Sequence, residues 1–277
     1  MENSSAIGLI IIIFTCLTSY KGLVDPRFYN QYVFQVDKIL VEKEYGRMIT
    51  SGFLHANWIH LAFNMSTLYA FSASLEMTLG IQNYAIIYFS SLIGGSLLSL
   101  YIHRNHGDYT AIGASGAVCG VIFASIALYP EVEIGTFGLY FPSWLYALLF
   151  ISISIFGIKS QATNIGHDAH LGGALIGLLT AVALRPETLQ ENYWIILLIA
   201  LPTIAFIAYL IRRPEVLLMD NIFSKKQGFE TFEDKFNATK LTNAQEIDKI
   251  LDKIRDKGVD SLTPKEKDTL DKYSKNK

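Results

Sequence analysis

Charged side chains are scarce in this sequence and unevenly spread. Asp, Glu, Lys and Arg make up 17% of its 277 residues, against about 25% in an average soluble protein. Few of them interrupt the long apolar stretches, and many follow Arg212. This distribution argues against a soluble globular protein, and the formal net charge of -2 provides no basis for a nucleic-acid partner.

Cysteine is also scarce. Cys16 and Cys119 are the two cysteines, and both lie inside apolar stretches. No disulfide framework is therefore indicated, and both are interpreted as small buried apolar side chains. The first five residues carry no basic side chain, so they lack the charged start of a secretory signal. The first apolar stretch is expected to be retained as a membrane span.

Apolar stretches, by contrast, are frequent. A helix needs roughly 20 mostly apolar residues to cross the hydrocarbon core of a bilayer. The segments predicted to do so are 7–20, 59–77, 84–103, 112–129, 143–158, 169–184 and 194–211. The sequence therefore predicts an all-α, polytopic membrane helical bundle.

The connections differ in character. Residues 21–57 form a long connection of mixed polarity, and loops of this length usually carry structure or function. The chain becomes polar after residue 212, where Thr242 and Gln245 fit a capping box and Pro264 fits the first position of a second helix. A small helical hairpin is predicted in this tail.

Polar side chains stand where three of the apolar segments begin. His60 and Asn64 are four residues apart in the second segment and share a helical face. Ser115 lies near the start of the fourth segment and His170 near the start of the sixth. Such groups are costly in a bilayer and usually functional. Because these three segments run in the same direction, all four side chains are expected near one membrane surface.

Two of these segments also carry a face of small residues. Small residues let neighbouring membrane helices approach closely. The glycines interpreted as helix-packing positions are Gly113, Gly116 and Gly120 in the fourth segment and Gly173 and Gly177 in the sixth. His170 shares the small face of its own segment, so close packing is expected to bring it near Ser115. Taken singly, these features also fit interfacial polar residues or a packing motif with an incidental serine.

These residue types fit acyl transfer. A serine hydroxyl becomes a good nucleophile when a base takes its proton, and histidine is the usual base. The developing oxyanion then needs preorganised donors, which His60, Asn64 and the backbone N–H of Ser115 can supply. Asp168 is two residues from His170 and would face another way on a helix. The sequence therefore predicts a Ser115–His170 dyad without a third carboxylate.

The remaining histidines have weaker interpretations. His167 and His170 are three residues apart and have the spacing of metal ligands, although the sequence shows no third ligand and no HExxH motif. His55, His103 and His106 lie at the ends of connections and are expected to be solvated.

The sequence resembles the rhomboid intramembrane serine proteases over about residues 54–184. It matches their histidine-x3-asparagine pattern at His60–Asn64 and their GxSG pattern at Gly113–Gly116. It also matches their alanine-histidine-x2-glycine-x3-glycine pattern at Ala169–Gly177. The three patterns occur in order, and together they are much more specific than any one alone.

This resemblance implies a fold and a set of roles. The fold is a six-helix rhomboid core with one additional C-terminal helix, as in some bacterial members, followed by the helical tail. Ser115 would be the nucleophile and His170 the base, and His60, Asn64 and Ser115 would form the oxyanion hole. Transmembrane segments of other proteins would be the substrates, and no cofactor is implied.

The predicted organisation has four parts. Residues 1–58 hold the first span and the long connection, and residues 59–185 form the catalytic core. Residues 186–211 hold a seventh span, and residues 212–277 form the tail. Two departures from the family pattern are Gly46 before Arg47, where many members have tryptophan, and Cys119, where some members place a tyrosine that stacks on the histidine.

The sequence also supports expectations about the location of the protein and about alternative functions. The protein is expected in the inner or plasma membrane of a bacterium. The excess of Lys and Arg in the connections on the active-site side favours a cytoplasmic active site, whereas the resemblance favours an active site that opens to the outer side, which is the preferred interpretation. A catalytically inactive relative that binds transmembrane clients, a transporter or channel, and a structural scaffold remain as alternatives.

Overall fold

The computed structural model describes residues 6–136, 139–160 and 166–212, together with Lys253 and Thr263. The chain divides into two compact units, Met1–Ser224 and Lys225–Lys277. All elements named below belong to the first unit. The helical hairpin predicted in the tail lies outside the described residues, and the division into four parts stays a prediction.

Most of the described chain is helical, as a membrane bundle requires. The helices are α1 (Ala6–Val24), α2 (Pro26–Tyr32), α3 (Val36–Leu40), α4 (Arg47–Thr50), α5 (Trp58–Ile102), α6 (Ser115–Leu128), α7 (Ser143–Ser160), α8 (His167–Leu184), α9 (Glu187–Glu191) and α10 (Tyr193–Arg212). Of these, α1, α5, α8 and α10 are long and apolar enough to cross a membrane. Each of the seven predicted segments coincides with a helix or with part of one, so the all-α membrane fold is confirmed.

Helix α5 contains two of the predicted segments. It is 45 residues long, and a straight helix of this length would measure roughly 67 Å, more than twice the ~30 Å hydrocarbon core. Gly80 interrupts it with φ 81° and ψ 162°. Glycine adopts positive φ without the steric cost that a Cβ brings, so the chain can reverse there between two spans.

Helix α6 forms the centre of the bundle. It has only 14 residues, and every residue from Gly116 to Ala127 is buried. It packs chiefly against α8 and α5. The body of α6, from Gly116 to Ala127, is therefore enclosed by other parts of the protein.

The contact between α6 and α8 is made by glycine. A Cβ on Gly173 would overlap the backbone of Gly116, and a Cβ on Gly177 would overlap the backbone of Gly120. The two backbones therefore touch directly, which is the approach that small residues permit in membranes. We call this contact of Gly116 and Gly120 with Gly173 and Gly177 the α6–α8 seam.

The connection over residues 25–57, called here the first loop, is folded. It contains α2, α3, α4 and a short 3-10 turn at Ser51–Phe53. Its strand β1 (Phe34–Gln35) pairs antiparallel with β2 (Thr110–Ala111), in the connection between α5 and α6. The first loop is thereby tied to the segment that leads into α6.

Arg47 holds the first loop from inside. Its side chain is buried, and Nη1 donates to the carbonyl oxygens of Val33 at 2.8 Å and Asn30 at 2.9 Å. It also pairs with the carboxylate of Glu44. A buried guanidinium bonded to two backbone carbonyls restrains the path of the chain around it, because buried polar groups are nearly always paired.

The opposite end of the bundle is simpler. A hairpin of β3 (Glu133–Thr136) and β4 (Leu139–Pro142) connects α6 to α7. Near the same end, the buried Glu76 of α5 accepts a hydrogen bond from the backbone N–H of Ala6 at 2.9 Å. A carboxylate at a helix N-terminus satisfies its free N–H groups and complements the helix dipole.

Candidate active site

Ser115 and His170 meet where α6 and α8 begin. Ser115 is the first residue of α6. His170 lies in the first turn of α8, where its backbone N–H donates to the Gly166 carbonyl oxygen at 3.0 Å. The Nε2 atom of His170 lies 2.7 Å from Oγ of Ser115. This is hydrogen-bond distance between a nucleophile and the base that would activate it.

The α6–α8 seam explains this proximity. Gly173 lies three residues after His170 and contacts Gly116, the residue that follows Ser115. Residues three apart on a helix share a face, so the side of α8 that touches α6 also carries His170. The sequence predicted this contact from the small faces, and the structure brings the two helices together along them.

Gly113 differs from the four seam glycines in the residue that it contacts. It precedes α6 and has φ 123°, and a Cβ there would lie 2.9 Å from Cε1 of His60 and 3.7 Å from Oγ of Ser115. Gly113 thus packs on His60, in α5. The absence of a side chain lets the His60 ring approach the serine hydroxyl.

Asn64 follows His60 by four residues in α5 and is buried, with 4% of its surface exposed to solvent. Its side-chain Nδ2 donates to the backbone carbonyl oxygen of His60 at 3.0 Å. A primary amide has two N–H donors, so this bond leaves one for another acceptor. Asn64 therefore lies one helical turn behind His60, and its role as an oxyanion donor stays a prediction.

The backbone at the start of α6 supplies further donors. The first N–H groups of a helix have no partner within the helix, and the dipole favours negative charge there. Ser115 occupies this position. An oxyanion beside its Oγ would therefore lie near backbone N–H groups, and the role of His60 as a further donor stays a prediction.

His55 corrects an expectation of solvation. Its ring is only 1% exposed, because Nδ1 lies 2.9 Å from Oγ of Ser19 in α1 and Nε2 accepts from the backbone N–H of Ala114 at 3.4 Å. Burial, together with the neighbouring His60, lowers the pKa of His55 to about 3. A neutral His55 therefore links α1 to the residue before Ser115, a role that local sequence pattern did not reveal.

An aromatic side chain near His170 was also missed. Cys119 is buried on α6, at the position where some family members place a tyrosine. In this structure Phe150 of α7 has its ring centroid 6.1 Å from that of His170. This separation lies within the range of interacting aromatic rings, so α7 provides an aromatic neighbour for the histidine.

Asp168 and His167 contact parts of the structure other than Ser115. The carboxylate of Asp168 lies 3.3 Å from Nε2 of His103, at the end of α5. The ring of His167 packs on Gly157 of α7 and lies 6.0 Å from that of His170. In the part of the chain that the structure describes, no three His, Cys, Asp or Glu side chains cluster closely enough to hold a metal ion.

Comparison with known proteins places this site in a family. The model of the rhomboid domain matches residues 42–187, more than half of the 277 residues. A second model, for a family of unknown function (DUF6576), matches residues 230–276 in the tail. The rhomboid match includes all four side chains that were predicted to form the site.

Individual proteins of known name that resemble this chain are also rhomboid proteins. The chain is 32% identical to Rhomboid protein 1, mitochondrial, of Saccharomyces cerevisiae over 55% of this chain and 45% of that protein. It is 34% identical to RHOMBOID-like protein 6, mitochondrial, of Arabidopsis thaliana over 56% of this chain and 50% of that protein. It is 27% identical to Rhomboid protease GluP of Bacillus subtilis over 64% of this chain and 34% of that protein.

These matches have limits in length and origin. The matched part of the chain spans half or less of each of these three relatives. Two of the relatives are mitochondrial and one is bacterial, so the bacterial type stays a prediction. The apolar helices and the rhomboid domain together make the chain a multi-pass membrane protein, and the match over more than half of its length shows that it belongs to the rhomboid family.

Proposed function

We propose that this chain is an intramembrane serine endopeptidase that cleaves transmembrane segments of other membrane proteins near the membrane surface. The observation that carries the proposal is the 2.7 Å separation between Ser115 Oγ and His170 Nε2. A protease name on one relative, from Bacillus subtilis, adds support. A serine and a histidine in contact at the ends of two packed helices form the minimal set for covalent acyl transfer.

The chemistry follows from the positions of the atoms. His170 accepts the hydroxyl proton as Ser115 Oγ attacks the scissile carbonyl carbon, and the carbonyl oxygen becomes an oxyanion. Donors from His60, Asn64 and the backbone of Ser115 stabilise that charge. His170 then protonates the leaving amine, an acyl-enzyme remains on Ser115, and a water activated by the same histidine releases the acid.

The substrate class follows from the surroundings of the site. Ser115 and His170 lie at the ends of buried membrane helices, where an extended peptide must leave its own helix to be cut. Within a bilayer a helix satisfies its own backbone groups, so unwinding it there is costly. Segments with small or helix-breaking residues near the membrane surface are therefore the expected substrates.

The test is labelling by a fluorophosphonate serine probe, combined with cleavage of a transmembrane peptide, using the purified full chain in detergent. Wild-type protein should label and cleave, and Ser115→Ala and His170→Ala should do neither. Ser125→Ala is the matched control, because Ser125 is buried in the same helix and bonded to the Val121 carbonyl oxygen at 3.0 Å. Cleavage by purified Ser115→Ala protein would refute the dyad.

Asn64 has its own test. Loss of a single oxyanion donor lowers kcat by about 10²–10³, so Asn64→Ala should reduce cleavage by that factor. Asn83→Ala is the control, since the Asn83 amide, beyond Gly80 in α5, makes the same type of bond to the Leu79 carbonyl oxygen at 3.0 Å. Equal rates for the two variants would remove Asn64 from the oxyanion hole.

A client-binding relative without activity is the alternative outcome. A folded wild-type protein that neither labels nor cleaves any transmembrane peptide, yet retains such peptides in a pull-down, would replace the protease proposal. The presence of both Ser115 and His170 in hydrogen-bond contact favours the enzyme.

For location, we propose the plasma membrane of a bacterium, with the active site opening to the outer side. The α5–α6 connection lies on the active-site side and carries the exposed Asp108. Asp108→Cys should react in intact cells with a membrane-impermeant maleimide, above the background of wild-type protein. Reaction only after permeabilisation would instead place the active site toward the cytoplasm, as the distribution of Lys and Arg suggests.

A further inference from the structure

A buried carboxylate at the start of α8 has no part in the dyad chemistry. Asp168 is 4% exposed and belongs to the first turn of α8. Its Oδ2 atom lies 3.3 Å from Nε2 of His103. Burying a carboxylate is costly unless it is paired, and His103 is the basic side chain in contact with it.

His103 is itself firmly placed. It follows the last residue of α5, and its backbone N–H donates to the Ser99 carbonyl oxygen at 2.9 Å. Its ring stacks on Tyr109 with centroids 3.6 Å apart and planes 6° apart. The Tyr109 carbonyl oxygen accepts from the N–H of Val36 at 3.2 Å, beside the β1–β2 pair. Asp168 therefore reaches a group anchored to both α5 and the first loop.

The surroundings of Asp168 are polar on several sides. The titratable groups that face it are His103 and Tyr109 from the α5–α6 connection, and His167 and His170 from its own helix. Burial, reinforced by the nearby carboxylate, raises the pKa of the Tyr109 hydroxyl. That hydroxyl is therefore neutral near pH 7.

Asp168 and His170 point to different partners. Residues two apart on a helix are separated by about 200° around its axis. His170 accordingly contacts Ser115 on α6, while Asp168 contacts His103 at the end of α5. The first turn of α8 is held from both sides, and a shift of this turn would move the imidazole relative to the serine.

We propose that Asp168 is a positioning residue, whose contact with His103 fixes the first turn of α8 and thereby the distance between His170 and Ser115. The proposal rests on the protease function proposed above. It assigns Asp168 no proton transfer and no contact with substrate. Its effect should therefore appear in kcat, because misplacement of catalytic groups by about 1 Å can cost up to roughly 100-fold in rate.

The experiment compares Asp168→Asn, His103→Leu and the double variant, with kcat and KM measured on a transmembrane peptide in detergent and thermal unfolding measured in parallel. Each single variant should lower kcat about tenfold with little change in KM, as expected when positioning is lost. The double variant should be no slower than the slower single variant. Asp108→Asn, at the exposed carboxylate of the α5–α6 connection, is the control and should match wild type.

A conservative variant of His103 distinguishes a positioning role from an effect on stability alone. His103→Gln keeps an N–H donor near the position of Nε2 and should retain most of the wild-type kcat. If the Asp168→Asn protein does not fold, the comparison of His103→Leu with His103→Gln decides the question. Unchanged kcat with lowered thermal stability would overturn the proposal, and so would equal kcat for His103→Leu and His103→Gln, or additive losses in the double variant.

Wild type and Ser115→Ala are measured beside these variants. If wild type cleaves and Ser115→Ala does not, the protease function stands and the Asp168 variants judge the positioning role alone. If wild type neither labels with the serine probe nor cleaves, the protease function fails, and the positioning role falls with it.

Discussion

Along the α6–α8 seam the contact is made by glycine and backbone atoms, whereas the first loop is held by buried polar side chains. In the seam, Gly173 leaves no room for a Cβ against Gly116. In the loop, Arg47 and His55 satisfy backbone and hydroxyl groups over long sequence separations. Both regions border the same serine, so they can be compared through their effects on one reaction.

The difference lies in what each kind of contact can tolerate. Touching backbones cannot yield to an added atom, since protein interiors are closely packed and backbone cannot change its rotamer. Buried polar contacts lose free energy when a partner is removed, but the chain around them can relax. We therefore expect changes in the seam to lower activity most strongly and changes in the loop to reduce stability first.

The largest effect is expected for Gly173→Ala. The added Cβ would push α8 away from Gly116 and separate His170 from Ser115. Overpacking costs about 1–3 kcal/mol of stability, and the displacement should lower cleavage by about 100-fold. Purified protein is assayed for peptide cleavage and thermal unfolding.

Gly46→Ala is the control for the seam. A Cβ at Gly46 meets no atom within 4 Å, so this variant should keep wild-type activity and stability. Normal cleavage by Gly173→Ala would show that the seam does not set the distance between serine and histidine.

The second-largest effect is expected for Arg47→Ala. It leaves the carbonyl oxygens of Val33 and Asn30 without this donor. Val33 is buried, and an unsatisfied buried group costs about 1–3 kcal/mol. Thermal unfolding should therefore occur at lower temperature, with a smaller loss of kcat in the protein that remains folded. Lys38→Ala is the matched change on the same loop, where an exposed pair with Glu42 contributes about 0.5 kcal/mol or less. A loss of kcat in Arg47→Ala without loss of stability would reverse the comparison.

The stability of the protein should depend on pH through His55. Its pKa is about 3 when folded against 6.5 for an unperturbed histidine, so between these values the unfolded chain binds more protons. Stability should therefore fall as the pH drops below about 6.5, by at most about 1.4 kcal/mol per pH unit for this one group. Thermal unfolding at several pH values measures the slope.

His55→Gln should flatten that slope below pH 6.5, since glutamine does not titrate. His106→Gln, at a partly exposed histidine of the α5–α6 connection, should leave it as in wild type. An identical slope for wild type and His55→Gln would mean that His55 is not the group that destabilises the fold in acid.

Phe150→Leu should have the smallest effect. Aromatic contacts contribute about 0.5–1.5 kcal/mol beyond area burial, so loss of the ring beside His170 should lower kcat by about two- to tenfold. Phe156→Leu is the control, because Phe156 is exposed on the same helix. Equal kcat values for the two variants would show that α7 does not support the histidine.

The membrane fold was predictable because the thickness of the bilayer sets the minimum length of each apolar segment. A span needs enough consecutive apolar residues to cross the hydrocarbon core, and the seven predicted segments match α1, both halves of α5, α6, α7, α8 and α10. Alternation of direction then placed His60, Ser115 and His170 at one surface. The family patterns added the roles of these residues, which the variants of Ser115, His170 and Asn64 test.

The contacts that the sequence did not reveal are those between distant residues. The local sequence around His55 predicts a solvated loop residue. It is buried because α1 and the α5–α6 connection approach it. Phe150 is one of several aromatic residues on α7, and helix packing alone decides that it faces His170. The pairing of β1 with β2 joins strands of two residues each, which are too short to show a period.

The sequence by itself indicated the number of apolar segments, the placement of their polar groups near one common surface and the small faces that permit close approach, because these depend on local periodicity and on the thickness of the bilayer. The tertiary structure decided which small faces meet, and that Asp168 reaches His103 while His170 reaches Ser115. Such pairings depend on how helices rotate and shift against one another, and no local pattern specifies that choice.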